Sequence, residues 1–589
     1  MNTEGLILSG PLSALMAEAS AGESSRTTLV ACASAAKGKG DILHLLGLQS
    51  FAGGDPRGAC VLIERAARFD SENVAVLNNL GVALLACGNA ASAASCLRRA
   101  ILLARDEPEP HGNLGIALHT LGDHDAAAAS LSRTLAADHT PALFRRKLAE
   151  VRFEQGDVEE GEALLLQMLS QDGDDTEAVL TLGRLLAWRG EWTEAAEFFW
   201  QILRSDPAHL GALCALAPVV DDDRVEELTE LLQRATSTAG DEDAQFRGHQ
   251  ALAGLAHLRK DIAAEADHCR RALEYRPDAV EVQVNLAKLF LLKGDFHTGW
   301  SSFEWRWRQG STTLRSRSLM RPRWRGEPLD NATIALHAEQ GFGSVIQFAR
   351  YAPLVAGLGG RVVLEVPPEL VRLMRSLDGV EHIAARGEPI PAVAWQCPLM
   401  SLPLAFGTTL STIPANVPYL RAVPEEVRAW SSRLPAKFRI GVAWAGARRH
   451  YNDRRRSMRA EVLAPLGEIA DVAIISIQLP QFPEPGTLPF DHIDVSAELT
   501  DFADTAAVIA SLNVLVTVDT AVAHLAGALG IPVWILLPFA GEYRWLLDRV
   551  DSPWYPTARL FRQPSPGDWD SVIGRVALEL RLASVAGGR

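Results

Sequence analysis

Three stretches place reactive or anion-binding residue types where a strand gives way to a helix. In "VTVDTAVAHLAGALGIPVWILLP" (516–538) an apolar run stops at Asp519-Thr520, small residues open a helix, and Gly530-Ile531-Pro532 leads into a second apolar run. A strand–turn–helix–strand unit accounts for its apolar letters but not for Asp, Thr and His at the junction. A helix starting after Thr520 offers the backbone N–H groups of Ala521 and Val522 at the positive end of its dipole, a cradle for phosphate. His524 lies one turn further in, as a second ligand contact or as a structural histidine. "GVAWAGARRHYNDRRRS" (441–457) follows a strand with Gly446 and then Arg448, Arg449, Arg454, Arg455 and Arg456. In an acidic chain, guanidinium groups gathered past a strand end point to an anion site rather than to a solvated face. "HAEQGFGSVIQFARY" (337–351) ends a strand in Glu339-Gln340, and a glycine turn opens a helix carrying Ser344. Glycine there lets backbone approach a ligand or pack tightly against a neighbour.

The elements that must hold these residues alternate short apolar strands with helices, the pattern of parallel α/β structure. Strands are predicted at 333–338, 361–366 and 392–396, with helices at 343–358, 368–376 and near 398–405. The proline-rich segment 410–435 reads as a connection. A second series has strands at 438–444, 472–478, 514–518 and 532–537, helices at 458–469, 501–512 and 521–529, and a closing helix from Trp569 to Ala583. Two Rossmann-like halves imply a cleft, with ligands at the carboxyl ends of the strands.

The first half of the chain is repetitive. Leu46-Gly47, Leu80-Gly81, Leu114-Gly115, Leu148-Ala149 and Leu182-Gly183 recur every 34 residues, and Gly54, Gly88, Gly122, Gly156 and Gly190 keep the same register. After an irregular stretch at Ala217-Pro218 the step resumes at Leu252-Ala253 and Leu286-Ala287. The small residue lets the paired helix approach, and the later glycine ends the first helix in a left-handed cap. Such units stack into an α-solenoid with a concave surface. The pattern resembles the tetratricopeptide repeat over about 40–308. Asn79, Asn113 and Asn285 hold positions expected to face the groove, where an asparagine amide can grip a peptide backbone; solvated helix positions are the alternative. Trp300, Phe303, Trp305 and Trp307 then crowd one short helix, as a cap against the next domain or as a stacking platform. The resulting division is a tail or cap at 1–39, the superhelix at 40–308, a basic linker at 309–330, and α/β domains at 331–430 and 431–589.

A net charge of −15 argues against a generic nucleic-acid or anionic-membrane binder. The seven cysteines contain no CxxC pair, so neither a zinc site nor a disulfide framework is expected, and a reducing compartment is. No signal peptide or membrane span is read, and a cytoplasmic location is expected.

The segment "DTAVAHLAGALGIP" (519–532) resembles the DTxxxHLAxALGxP pattern of GT-B glycosyltransferases related to heptosyltransferases. That resemblance covers roughly 331–589 and implies a GT-B fold of two Rossmann-like domains. It implies donor-side roles for Asp519, Thr520, Ala521 and His524, with Gly446, Arg454 and Arg456 as further donor-side candidates. The glycine turn would then lie on the acceptor side, where the family's GxGD aspartate acts as base. Here that position is Ser344, so the candidate catalytic groups are Ser344 and Glu339. Repeats followed by such a domain resemble bacterial flagellin glycosyltransferases, which implies transfer of a nonulosonic acid (pseudaminic or legionaminic) from a CMP-activated donor to Ser/Thr of flagellin held by the repeats. Inverting chemistry with no metal and no cofactor beyond the nucleotide-sugar is expected. The alternatives are an inactive repeat scaffold, favoured by Ser344, and a heptosyltransferase-like enzyme.

Overall fold

The computed structural model describes residues 38–135, 140–173, 175–308, 321–447, 452–479 and 486–587. The tail at 1–37, most of the linker, and Arg448 and Arg449 of the arginine loop lie outside the described residues. The chain forms two compact units, one up to Val219 and one from Val220.

The first unit turns the 34-residue period into helix pairs, such as Val74–Ala86 with Ala90–Leu103 and Thr176–Arg189 with Trp192–Ser205. The small residues are there for contact: a Cβ on Gly81 would sit 2.6 Å from Leu97 Cγ, and one on Gly183 would sit 2.5 Å from Phe199 Cε1. The later glycines fulfil their role as well. Gly88, Gly122 and Gly156 have φ of +78°, +81° and +91°, a region that side chains avoid. Many of the helices start on Asp or Asn caps, as where Asn89 accepts the Ser92 N–H. The irregular stretch near 217 is a shortened unit. The seven-residue helix Leu210–Leu216 stops ahead of Pro218, and a 3-10 turn at Asp222–Arg224 precedes the helix Val225–Thr238.

The second unit opens with further repeat helices, ending with Val280–Leu292 and Phe296–Phe303, and continues into two wholly parallel sheets. Strands β1 (Thr333–His337), β2 (Arg361–Val366), β3 (Val380–Ala385) and β4 (Trp395–Pro398) are ordered β3-β2-β1-β4. Strands β5 (Phe438–Ala443), β6 (Val472–Ser476), β7 (Ile493–Asp494), β8 (Val514–Val518), β9 (Val533–Leu537) and β10 (Ala558–Arg562) are ordered β10-β9-β8-β5-β6-β7. The α-solenoid is thus followed by a two-sheet α/β region of Rossmann-like character, as expected. β8 and β9 are buried along their whole length, as near-continuous apolar runs in parallel sheets must be.

Some elements differ from expectation. The helix expected at 343–358 is split into α1 (Phe342–Ala349) and a second helix, Ala352–Gly357, whose Pro353 falls in its first turn. That expected at 458–469 is a 3-10 turn, Ala460–Leu463, followed by Ala464–Gly467, again at a proline. β3, β7 and β10 fall outside the expected strands, and a helix, Pro424–Arg433, forms within the connection at 410–435.

One apolar core runs from the last repeat helices into the sheets, joining Leu289, Leu291, Phe296 and Trp300 to Ile334, Phe348 and Ile535. Trp300 meets Phe348 and Tyr543 edge-on at 5.9 and 6.1 Å. It is a packing cap and not a stacking platform. Among the described residues no helix is long and apolar enough to cross a membrane.

Candidate functional site

The helix α2 (Ala521–Ala528) begins directly past β8, with Thr520 as its cap in extended conformation (φ −137°, ψ 176°). No side chain caps this helix start, so its first turn presents backbone N–H groups without an internal acceptor from a cap. Asp519, Thr520, Ala521 and Val522 are half-buried, as a turn that meets a ligand must be. α1 packs against α2, so the glycine turn and the Asp-Thr turn meet. Gly343 makes that approach possible: a Cβ there would lie 2.8 Å from His524 Cδ2. Gly341, by contrast, faces open space, and is the glycine of that turn free to admit a ligand.

His524 lies beneath the turn instead of at its mouth. Its ring is buried, stacks on Trp545 at 5.3 Å, and holds the Tyr555 hydroxyl 3.0 Å from Nδ1. Burial, with Arg544 adding to it, pushes its pKa well down, so the ring is neutral. Direct ligand contact by His524, expected from its position, is therefore corrected to support of the turn.

Ser344 is buried and accepts a hydrogen bond from Arg544 Nη2 at 2.8 Å. Arg544 also donates from Nε to Gln347 Oε1 at 2.8 Å and pairs with Glu542. Burial works against the charge of Arg544, but Glu542, Tyr543 and Asp519 outweigh it and hold the guanidinium above its ordinary value. Desolvation and the neighbouring Glu542 carboxylate push the Asp519 carboxyl up to about 6, against the opposing pull of Arg544 and Arg456. Lys288, reaching in from the helix Val280–Leu292, feels the same pair: burial pushes its amine down, Glu542 opposes this and Arg544 adds to it. The cluster thus mixes three cationic side chains with two carboxyls around an uncapped helix start.

Glu339, the other base candidate, is corrected. Arg306 clamps it from Nε to Oε2 at 2.8 Å and from Nη2 to Oε1 at 2.9 Å, and the Met400 N–H adds a bond of 3.1 Å. Its side chain is 1% exposed, so it has no path to a substrate proton.

The arginine loop divides. Arg456 donates from Nη1 to the Asp519 carbonyl at 3.0 Å and from Nε to Asp453 at 3.2 Å, which puts it on the turn. Gly446 is what admits it, since a Cβ there would collide with the Arg456 guanidinium. Arg454 pairs with Asp221, and Arg455 with Asp222 at 3.1 Å and the Val220 carbonyl at 2.9 Å. Arg454 is therefore removed from the donor-side group.

Asn79 and Asn113 do not line a groove. Both are fully buried: Asn79 Nδ2 lies 3.0 Å from His44 Nε2, Asn78 donates to Asn79 at 3.3 Å, and Asn113 donates to Asn78 at 3.0 Å. They form a polar seam linking successive repeats. Asn285 alone of the three is exposed.

Sequence reasoning missed Lys288, Gln347, Glu542, Arg544, Trp545 and Tyr555. No motif marks them, but Glu542 and Arg544 follow β9 as Asp519 follows β8, so the rule that strand ends gather ligands could have found them.

Protein FlbA of Caulobacter vibrioides is 25% identical over 351 residues, 54% of this chain and 58% of that protein. The chain therefore spans under two thirds of that relative's length. Among solved structures, yeast Tom70 is 12% identical, with 46% of this chain and 60% of that one covered at a TM-score of 0.38. A tetratricopeptide repeat protein from Parabacteroides merdae is 14% identical, covering 42% of this chain and 98% of its own at a TM-score of 0.36. Tetratricopeptide repeat models match residues 78–140, 118–178 and 152–217. The first part of the chain is thus a tetratricopeptide repeat array, a protein-interaction architecture.

Proposed function

We propose that the α/β region is a GT-B glycosyltransferase that transfers a sugar from a nucleotide-activated donor to a Ser/Thr hydroxyl of a protein recruited by the repeats. The observation that carries this reading is the uncapped start of α2, which faces Arg456 and lies beside the Asp519–Glu542–Arg544 cluster. A departing phosphate develops negative charge, and preorganised N–H groups and guanidinium groups stabilise it in a partly dehydrated site. The acceptor oxygen forms a bond to the anomeric carbon, the bond from that carbon to the phosphate oxygen breaks, and the hydroxyl proton must be taken up. Ser344 is a weak base and Glu339 is sealed. Asp519, with its carboxyl near 6, is the group poised to accept that proton near neutral pH. The reading needs no metal, since helix dipole and arginines neutralise the leaving group. By resemblance to flagellin glycosyltransferases the donor is a CMP-activated nonulosonic acid and the acceptor is flagellin, in the cytoplasm.

The test is isothermal titration of the protein with CMP, UDP and ADP, joined to intact-mass measurement of flagellin from cells with and without the chain. Binding of CMP and a mass loss in cells lacking the chain are expected. Binding of no nucleotide, with flagellin mass unchanged, overturns the reading in favour of a scaffold; binding of UDP or ADP alone moves it to a heptosyltransferase-like donor.

A further inference from the structure

The repeat array holds a cluster of ligand-type side chains that helix packing does not call for. His119 is the penultimate residue of the helix Pro108–Thr120, and His124 is the first of His124–Thr134. The turn between them is set by Gly122, with φ +81°. Glu154 is the penultimate residue of Ala142–Gln155, in the following repeat. His119 Nε2 lies 2.9 Å and His124 Nδ1 3.0 Å from the same carboxylate oxygen, Glu154 Oε2. The ligand atoms of all three lie within 4.8 Å of one another.

Hydrogen bonding accounts for only part of this. His119 makes a proper bond to Glu154, whereas His124 Nδ1 is shielded from solvent and has no hydrogen-bond partner despite the nearby oxygen. That nitrogen lies 3.0 Å from an oxygen already bonded to His119 but is not aligned for a hydrogen bond with it, and a cation shared by all three groups would give it a partner. A second contact, Gln155 Nε2 to Asp125 Oδ1 at 2.7 Å, holds the same helices in register.

We propose that His119 Nε2, His124 Nδ1 and Glu154 Oε2 bind a divalent cation of the Zn2+ class, with water in the remaining position. Zinc bonds of about 2.0–2.1 Å in a tetrahedron set ligand atoms roughly 3.3 Å apart, so small adjustments of these groups suffice. Two imidazoles and one carboxylate favour Zn2+, Co2+ or Ni2+, whereas Mg2+ and Ca2+ prefer oxygen. Because the ligands come from consecutive repeats, the cation staples one repeat to the next and strengthens the coupling on which a solenoid depends. The proposal uses no residue of the transfer site, so either can fail alone.

The full chain, purified without a histidine tag and stripped by chelator, tests it. Zn2+ titration calorimetry should show a single tight equivalent, Co2+ should develop the visible absorption of a tetrahedral site, and Zn2+ should raise Tm. His119→Ala and Glu154→Gln should each weaken Zn2+ binding by about 100-fold or more and abolish the Co2+ bands, beyond the loss typical of an outer-shell partner. His297→Ala, an exposed histidine elsewhere, should leave both unchanged. Glu154→Gln keeps size and hydrogen bonding, so it reports even if the alanine variant fails to fold. No Zn2+ binding by the native chain, or full binding by Glu154→Gln, overturns the proposal.

Discussion

Two arginine–glutamate clusters sit past the ends of parallel strands, and they are built for opposite purposes. Past β1, Arg306 and Glu339 form a bidentate pair whose side chains are 3% and 1% exposed, with Met400 N–H and Glu304 filling further bonding positions. Burial opposes the charge of Arg306, but Glu339 and Glu304 hold it above its ordinary value. Past β8 and β9, Arg544 meets Glu542 and Ser344 beside a half-buried Asp519 whose carboxyl is pushed up to about 6. In the first, each charge is cancelled by geometry. In the second, two carboxyls crowd each other beside an open helix start. Charge alone therefore does not mark a reactive site; what marks it is charge left incompletely compensated where solvent or substrate can enter.

The largest effect is expected at the closed cluster. Glu339→Ala strips the buried Arg306 guanidinium of its bidentate partner, leaving Glu304 as its carboxylate partner, and should destabilise the second unit by about 3 kcal/mol, read from urea unfolding. A loss under about 1 kcal/mol there would mean the clamp is not the structural element described. On the open side, Arg456→Ala should lower turnover by roughly 100-fold, as for one donor to a developing negative charge, with unfolding midpoints nearly unchanged. Equal turnover in the variant would detach the arginine from the chemistry.

Asp519 sharpens the contrast through pH. Its carboxyl is raised in the folded state from 3.8 to about 6, so the folded chain holds this proton more tightly than the unfolded one. Its favourable contribution is complete below about pH 4 and is lost as pH rises through 6. Asp519→Asn should match native stability at low pH and exceed it progressively between pH 4 and 6, a difference that Tm measurements across that range will detect. The smallest effect belongs to Arg454→Ala. Its partner is Asp221 and not the turn, so nucleotide affinity measured by calorimetry should change by less than about threefold.

Legibility followed sequence distance. The repeat array could be read from its letters because each glycine acts within its own unit, as Gly88 and Gly122 do at positive φ. β8, the Asp519-Thr520 turn and α2 were legible because one contiguous stretch encodes them. β3 and β10 were not: VEHIAA is mostly exposed or half-exposed, and ARLFR has arginine at its second and last positions, so neither reads as a buried strand. The surroundings of the turn were equally hidden. Lys288 reaches it from a repeat helix far along the chain, and Arg544 from past the next strand with no motif to mark it, so their charges acquire meaning only once folding brings them together. The asparagines misled because a groove position in one helix register is a seam position when the next repeat closes over it, as at Asn79 and Asn113.

The Arg306–Glu339 clamp also bears on how this chain can be taken apart. Reading by pattern suggests a cut near 331, where repeats give way to strands. Such a cut severs Arg306 and Lys288 from the sheets and strips Phe296, Trp300 and Phe303 from the shared core. The surviving piece would carry an orphaned carboxylate at Glu339 and a raw apolar face. The last repeats are thus not an accessory that evolution or an engineer can exchange freely. They are grafted tissue, and a portable α/β fragment has to begin near Val220.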